Sequence, residues 1–274
     1  MHRMLWIVST PLGNRGDLSP RARETLAAAH FVLCEDTRRT GQLLASCGVT
    51  ARELVSLHEH NERQRLPSVL ARLQAGEDAA LVSDAGTPLV ADPGYRLVAA
   101  CWQTGIAVSP VPGPCAALAA LTASGLPPYP FAFLGFLPRR PGDVAAALAL
   151  YAAIPLTLVW YERKNRVPAS LRIAHQVLGE RSFCVARELT KVHETFIHGR
   201  LGQDVPELSE LLGEVTVVVG PPEVTPAAWD APRVAAEAAA LAATGLAPRE
   251  VARRVARVSG WPAKAVYRML VEEA

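Results

Sequence analysis

Residues 80–94 read ALVSDAGTPLVADPG, an apolar run that ends in a loop dense in glycine, proline and aspartate. Ala80 to Ser83 has the length of a buried strand, and Gly86, Pro88, Pro93 and Gly94 stop its continuation. A helix is expected from about Pro93 to Thr104 and a strand from Ile106 to Val111. One strand, loop, helix, strand unit is therefore legible here, and the same alternation extends toward the N-terminus.

Upstream, Leu5 to Ser9 is an apolar run closed by Thr10-Pro11, and Ser19 caps a helix whose first position is Pro20. Phe31 to Glu35 predicts a second strand, followed by a helix near Thr40 to Cys47, a strand near Leu54 to Leu57 and a helix from Arg63 to Ala75. Strands alternating with helices imply crossover connections and a largely parallel sheet. Around Ser124 to Pro130 the pattern is interrupted, which sets a boundary between residues 1–123 and a second α/β unit, residues 124–220. The second unit predicts strands at Phe131 to Phe136, Leu156 to Tyr161, Phe183 to Ala186, Glu194 to His198 and Val215 to Val219, and helices near 143–153, 167–178 and 204–212. It reads as more strand-rich and more mixed. Residues 221–274 open as a proline-rich linker and continue as helices at Ala235 to Ala243, Pro248 to Val258 and Pro262 to Glu273.

The 274 residues carry 28 basic and 26 acidic side chains, so binding nucleic acid by bulk charge is excluded and any such contact must be a local patch. Cys34, Cys47, Cys101, Cys115 and Cys184 form no Cys-x-x-Cys pair and are odd in number, which fits a reducing cytoplasm. No run approaches the ~20 apolar residues that span a bilayer, so no membrane partner is expected. Neither a Gly-x-Gly-x-x-Gly turn after the first strand nor a P-loop occurs. Instead three loops follow strands: Ser9 to Asn14, Ser83 to Gly94, and Val111 to Ala116. Ligands gather at the carboxyl ends of parallel strands, so these loops are expected to share one crevice.

Seven blocks carry a more specific signal: Thr10 to Asn14, Glu35 to Arg38, His58 to Glu62, Ser83 to Gly94, Val111 to Ala116, Gly135 to Pro138 and Arg187 to Lys191. In this order and spacing they resemble the ribosomal RNA small subunit methyltransferase I family, of the tetrapyrrole-methylase-like superfamily (class III S-adenosylmethionine-dependent methyltransferases). The resemblance implies two α/β domains with the methyl donor in the cleft between them, a small C-terminal helical extension, and a homodimer. It implies 2′-O-methylation of a decoding-centre cytidine of 16S rRNA in the small ribosomal subunit, with no DNA partner. For the donor it places Asp84, Ala85, Gly86 and Thr87 against the nucleoside and methionine parts, Cys115 and Ala116 beside them, Pro11 as the floor, and Tyr161 and Ala186 on the adenine side. After Trp160-Tyr161-Glu162 the family commonly has a histidine; Lys164-Asn165-Arg166 stands there instead.

Transfer to a ribose hydroxyl needs alignment, dryness and a group to take or offset the hydroxyl proton, and no metal. Glu35, Asp36, His58 and Lys191 are the candidates, and the sequence does not choose among them. Acids also favour helix starts, which is the structural alternative for Glu35 and Asp36. His58-x-His60 lacks a third ligand at zinc spacing. Arg38, Arg39, Asn61, Arg139 and Arg140 are expected on the RNA side, together with Arg253 and Arg254 of a tail in which Arg249, Arg257, Lys264 and Arg268 face only Glu250 as an opposing charge. A methyltransferase of a tetrapyrrole or other small acceptor, and a silent ribosome-assembly factor, are the other readings. The first leaves the Glu35 and His58 blocks unexplained, and the second has no need of intact donor loops.

Overall fold

The computed structural model describes residues 4–203, 213–222 and 229–272. The chain forms two compact units, Met1–Pro222 and Glu223–Ala274. In the first unit, β1 (Met4–Val8), β2 (Phe31–Cys34), β3 (Leu54–Ser56), β4 (Ala79–Leu81) and β5 (Ala107–Val111) build an all-parallel sheet in the order β3-β2-β4-β1-β5. The central strands are buried on both faces, which explains their continuous apolar runs. Helices α1 (Pro20–Ala28), α2 (Thr37–Ser46), α3 (Glu62–Gln74) and α4 (Tyr95–Gln103) make the crossovers.

Two expectations shift. Helix α2 starts at Thr37 rather than Thr40, because the Asp36 carboxylate accepts the Arg38 and Arg39 N–H groups at 2.9 and 3.3 Å and caps the helix there. Helix α5 (Ala116–Ala123) was not expected from the sequence. All but Thr122 of its residues are apolar, so it carries no amphipathic period, although only Ala117, Ala120 and Leu121 are buried, in the cluster with Val159, Cys184, Ala186 and Val218 of the second sheet.

The second sheet, in the same unit, is mixed: β6 (Phe131–Phe136), β7 (Thr157–Arg163), β8 (Ser182–Arg187), β9 (Thr195–Arg200) and β10 (Glu214–Val219), in the order β6-β7-β10-β8-β9. Only β6 and β7 pair in parallel, and the register slips between Phe133 and Phe136. Helices α6 (Pro141–Ala149) and α7 (Val167–Leu178) pack with this sheet around the fully buried Trp160. The helix expected near 204–212 lies outside the described residues.

The second unit contains α8 (Ala231–Ala242), α9 (Pro248–Ser259) and α10 (Ala263–Glu272). Val234, Ala238, Val251, Val255 and Val266 form its core. Asp230 caps α8 by accepting the Arg233 N–H at 3.0 Å, and Gly260 ends α9 in the left-handed conformation. Most of the linker expected ahead of α8 lies outside the described residues.

Candidate functional site

Strands β4, β1 and β5 are neighbours, so the three loops leave the sheet side by side. They are stitched together. Thr10 and Gly86 exchange backbone hydrogen bonds of 2.8 and 3.1 Å, and the Ser9 N–H donates to Val111 O at 3.2 Å. The Thr87 hydroxyl donates to Pro114 O at 2.8 Å and lies 3.1 Å from Ser9 Oγ. Gly86 has φ +81°, and a Cβ there would sit 3.0 Å from Leu12 Cδ2; at Gly113 a Cβ would sit 2.9 Å from Ser9 Cβ. Both positions need glycine for the loops to close on one another.

Above these loops is a cavity of about 500 Å³. The first sheet's side supplies Leu12, Glu35, residues 84–87, Val90, Asp92 and Ala116, and the second sheet's side supplies Phe136, residues 161–165, Leu189 and residues 213–216. Tyr161 ties the sides together: its hydroxyl accepts the Ala117 N–H at 3.2 Å, and its ring meets Phe133 and Phe136 edge-on at 4.8 and 5.4 Å. The backbone is strained at two places on the rim. Leu89 and Ala91 have φ of 69° and 71° on either side of Val90, and Glu188 and Thr190 have φ of 51° and 64° on either side of Leu189.

The lining is acidic, with Glu35, Asp84, Asp92, Glu162 and Glu214 against Arg163 and Lys164, which favours a cationic guest. Burial, then the neighbouring Glu35 and Asp84 charges, push the Asp92 carboxyl up to about 6. Glu35 is raised too, by burial first and by Asp84 second. Asp84 gives one oxygen to Arg39 at 2.9 Å, while its Oδ1 is buried with no hydrogen-bond partner among the described residues. Burial also raises the Tyr161 hydroxyl, with Cys115 adding to the effect.

A family model described as Tetrapyrrole (Corrin/Porphyrin) Methylases matches residues 4–203. A protein of Mesorhizobium japonicum named ribosomal RNA small subunit methyltransferase I is 43% identical over 98% of this chain and 91% of its own length. The protein of that name from Escherichia coli O157:H7 is 43% identical over 98% and 95%, and that from Synechocystis 40% over 98% and 98%. The chain belongs to the ribosomal RNA small subunit methyltransferase I family, within the tetrapyrrole methylases. Among solved structures, the methyltransferase CobJ aligns at TM-score 0.62 and 20% identity, covering 80% of this chain and 94% of its own. A uroporphyrin-III C-methyltransferase from Thermus thermophilus, complexed with S-adenosylhomocysteine, aligns at TM-score 0.57 and 20% identity, over 80% and 97%. At such identities these two speak for the tetrapyrrole methylase fold alone.

Of the donor residues that the family resemblance implied, Asp84, Ala85, Gly86, Thr87, Ala116 and Tyr161 all line the cavity. Pro11 lines an adjoining concavity, Cys115 is the residue before α5, and Ala186 is fully buried between the strands and α5. Among the proton-transfer candidates only Glu35 lines the cavity. The Asp36 carboxylate is occupied in capping α2. His58 gives its N–H to Asn61 Oδ1 at 2.8 Å, and its ring lies 6.0 Å from that of His60. Lys191 is bonded to Glu188 and Glu214 at 2.9 and 3.2 Å; partial burial favours its neutral amine, but these carboxylates hold it above the ordinary lysine value. It therefore offers a cation, not a base.

On the RNA side, Arg38 is exposed, Arg39 is held by Asp84, and the Asn61 amide spans His58 N and Ser56 O. Arg139 and Arg140 are exposed just ahead of α6. In the separate helical unit Arg253 and Arg254 both pair with Glu250. Asp92 and the Phe136-Tyr161 edge contact were missed in the sequence. Aspartate within a Gly/Pro loop was the only signal for the first; nothing local signals the second, because a register slip aims Phe136.

Proposed function

We propose that this chain transfers a methyl group from S-adenosylmethionine to the ribose 2′-hydroxyl of a decoding-centre cytidine in the RNA of the small ribosomal subunit. One observation carries the proposal: in a chain of this family, the loops of three adjacent parallel strands form the floor of an acidic cavity in which the buried Asp84 Oδ1 lacks a partner. The donor is cationic at its sulfur and its amino group, and its size suits a cleft of this volume. The fit is therefore good in charge, in volume and in the hydrogen-bond acceptor left open. When bound, the donor supplies a methyl group on a positively charged sulfur, ready for in-line displacement by an oxygen.

The chain's own part is to hold, orient and exclude water. Asp84 accepts hydrogen bonds from the donor's polar end, and Gly86 lets the backbone approach closely. Tyr161 and Phe136 form the apolar wall. As carbon–oxygen bond formation proceeds the hydroxyl loses its proton, and the raised Glu35 carboxylate is the group that takes it. Lys191, kept charged by Glu188 and Glu214, offsets negative charge at the rim. Arg38, Arg139 and Arg140 meet phosphates, and the arginines of α9 add a second set.

We further propose a cytoplasmic homodimer. Tyr95 and Trp102 lie one above the other on α4 and are 74% and 68% exposed, an apolar stripe that a second copy would cover. No helix among the described residues is long and apolar enough to cross a membrane. The decisive experiment incubates the protein with labelled S-adenosylmethionine and, in separate arms, small subunits or naked rRNA from cells lacking the modification and a porphyrinoid acceptor, then maps where the label goes. Label on a cytidine 2′-oxygen is expected. Label on a porphyrinoid acceptor in its place overturns the proposal.

A further inference from the structure

A second concavity of about 280 Å³ adjoins the first. Leu12 and Asp84 belong to both linings, so the two spaces meet there. One wall is a single stripe of α2: Gln42 and Leu43 lie three and four residues after Arg39 and four and three before Ser46, on a different face from the buried Thr40 and Leu44. The facing wall is the loop after β1, ending at Arg15.

The chemistry of these walls is specific in kind. Pro11, Leu12 and Leu43 give a small apolar surface, while Gln42 presents an amide that bonds to none of the described residues. The Ser46 hydroxyl donates to Leu43 O at 2.7 Å and keeps its lone pairs as acceptors. Arg15 has no ion-pair partner among the described residues, and the Arg39–Asp84 pair is exposed on the arginine side, so solvent or a phosphate can exchange with it at little cost. Two cations thus flank an apolar slot that ends in amide and hydroxyl groups. The volume is ample for one base.

We infer that this concavity takes a single unstacked nucleotide of the acceptor RNA, which under the functional reading above is the target cytidine. Its base lies against Leu12 and Leu43, with its hydrogen-bonding edge toward Gln42 and Ser46, and its neighbouring phosphates lie at Arg15 and Arg39. The ribose then falls at the junction marked by Leu12 and Asp84, where the two cavities open into each other. Extruding one nucleotide from its stack is the usual solution for enzymes that act on a nucleotide within folded nucleic acid. This assignment rests on the functional reading above and names the acceptor side of that site.

The test uses the full chain with Gln42→Leu, which removes the amide at similar size, and Ser46→Trp, which fills the slot. Both positions are exposed on α2, so folding is expected to be retained and is checked by thermal melting. Donor affinity, measured by calorimetry with S-adenosylmethionine, should stay within about twofold of wild type. Affinity for unmodified small subunits, measured without donor by filter binding, and single-turnover methyl transfer should both fall. The expected losses are about tenfold for Gln42→Leu and larger for Ser46→Trp. A wild-type chain that binds and methylates subunits while both variants match it overturns the pocket alone. A wild-type chain that transfers no methyl to subunits overturns the functional reading, and the pocket's assignment with it.

Discussion

Replacing Asp92 by asparagine removes a carboxyl that burial, Glu35 and Asp84 push up to about 6 from an ordinary 3.8. A group whose folded-state pKa is raised binds its proton more tightly in the folded chain. Below pH ~4 it is protonated in both states and carries no penalty; from about 4 to about 6 the penalty for ionising it in the fold grows, and above that it is constant. The gap between 3.8 and about 6, at ~1.36 kcal/mol per pH unit, sets a ceiling near 3 kcal/mol, and screening by water in the open cleft reduces this to about 1–2 kcal/mol. Urea melts of wild type and Asp92→Asn should therefore coincide near pH 4 and separate as pH rises, the variant being more stable by about 1–2 kcal/mol at pH 8. Donor affinity should move the other way: at pH 8 the variant, having lost a negative charge facing a cation, should bind S-adenosylmethionine more weakly, and the difference should close below pH 5. Stability curves that run parallel from pH 4 to 8 would refute the placement of Asp92 in a carboxylate cluster at the cavity wall.

Asp84→Ala should weaken donor binding at least tenfold by calorimetry, since it deletes a charged hydrogen-bond acceptor worth ~1.5–3 kcal/mol; an unchanged affinity would place the donor elsewhere. Glu35→Gln should lower single-turnover methyl transfer by ~10²-fold or more while leaving donor affinity within a few fold, and a rate near wild type would transfer the proton-accepting role to another group. The double change Arg253→Ala with Arg254→Ala should weaken binding to small subunits and reduce the slope of log affinity against log salt by about 1–2, because both exchange their exposed pairing with Glu250 for phosphates; an unaltered slope would make the helical unit a packing element only. Arg181, fully buried and bonded to Ala152 O at 2.7 Å and Leu178 O at 3.2 Å, should when changed to Ala lower stability by ~2–4 kcal/mol in urea melts without altering the donor affinity of the folded fraction.

The parallel sheet was legible because its strands are largely apolar and most are closed by loops carrying glycine, proline or asparagine, as residues 80–94 illustrate. Helix α2 starts three residues ahead of the expected Thr40 because its cap is Asp36, a carboxylate whose place beside Glu35 and Arg38 suits chemistry as well as capping. Helix α5 escaped because its exposed face is nearly as apolar as its buried one, Leu118 being half exposed, so its composition carries no period to find. The loops of the site could be expected to converge, since they follow strands, but the strand order that makes β4, β1 and β5 neighbours is a property of the folded sheet. The second sheet's contribution was least legible: Phe136 reaches the cavity through a register slip, and Leu189 through a strained turn, neither of which has a local signature.

That strain has a structural reason. Val90 and Leu189 reach the cavity from opposite sheets, and each is bracketed by two non-glycine residues with positive φ. Such residues cost ~1 kcal/mol or more apiece, and glycine at the same positions would relieve it. Glycine would also remove side chains that hold the turns in place, since Leu89 packs against the core cluster of Leu33, Leu81 and Leu97, and Glu188 bonds to Lys191 and to the Glu214 N–H. The turns are therefore kept in a costly conformation by packing and hydrogen bonds of their strained residues, which fixes Val90 and Leu189 at the cavity before any ligand arrives. A cleft whose walls are set in advance loses less entropy on closing over a small cation than one that must order its loops on binding, and in-line transfer depends on that alignment.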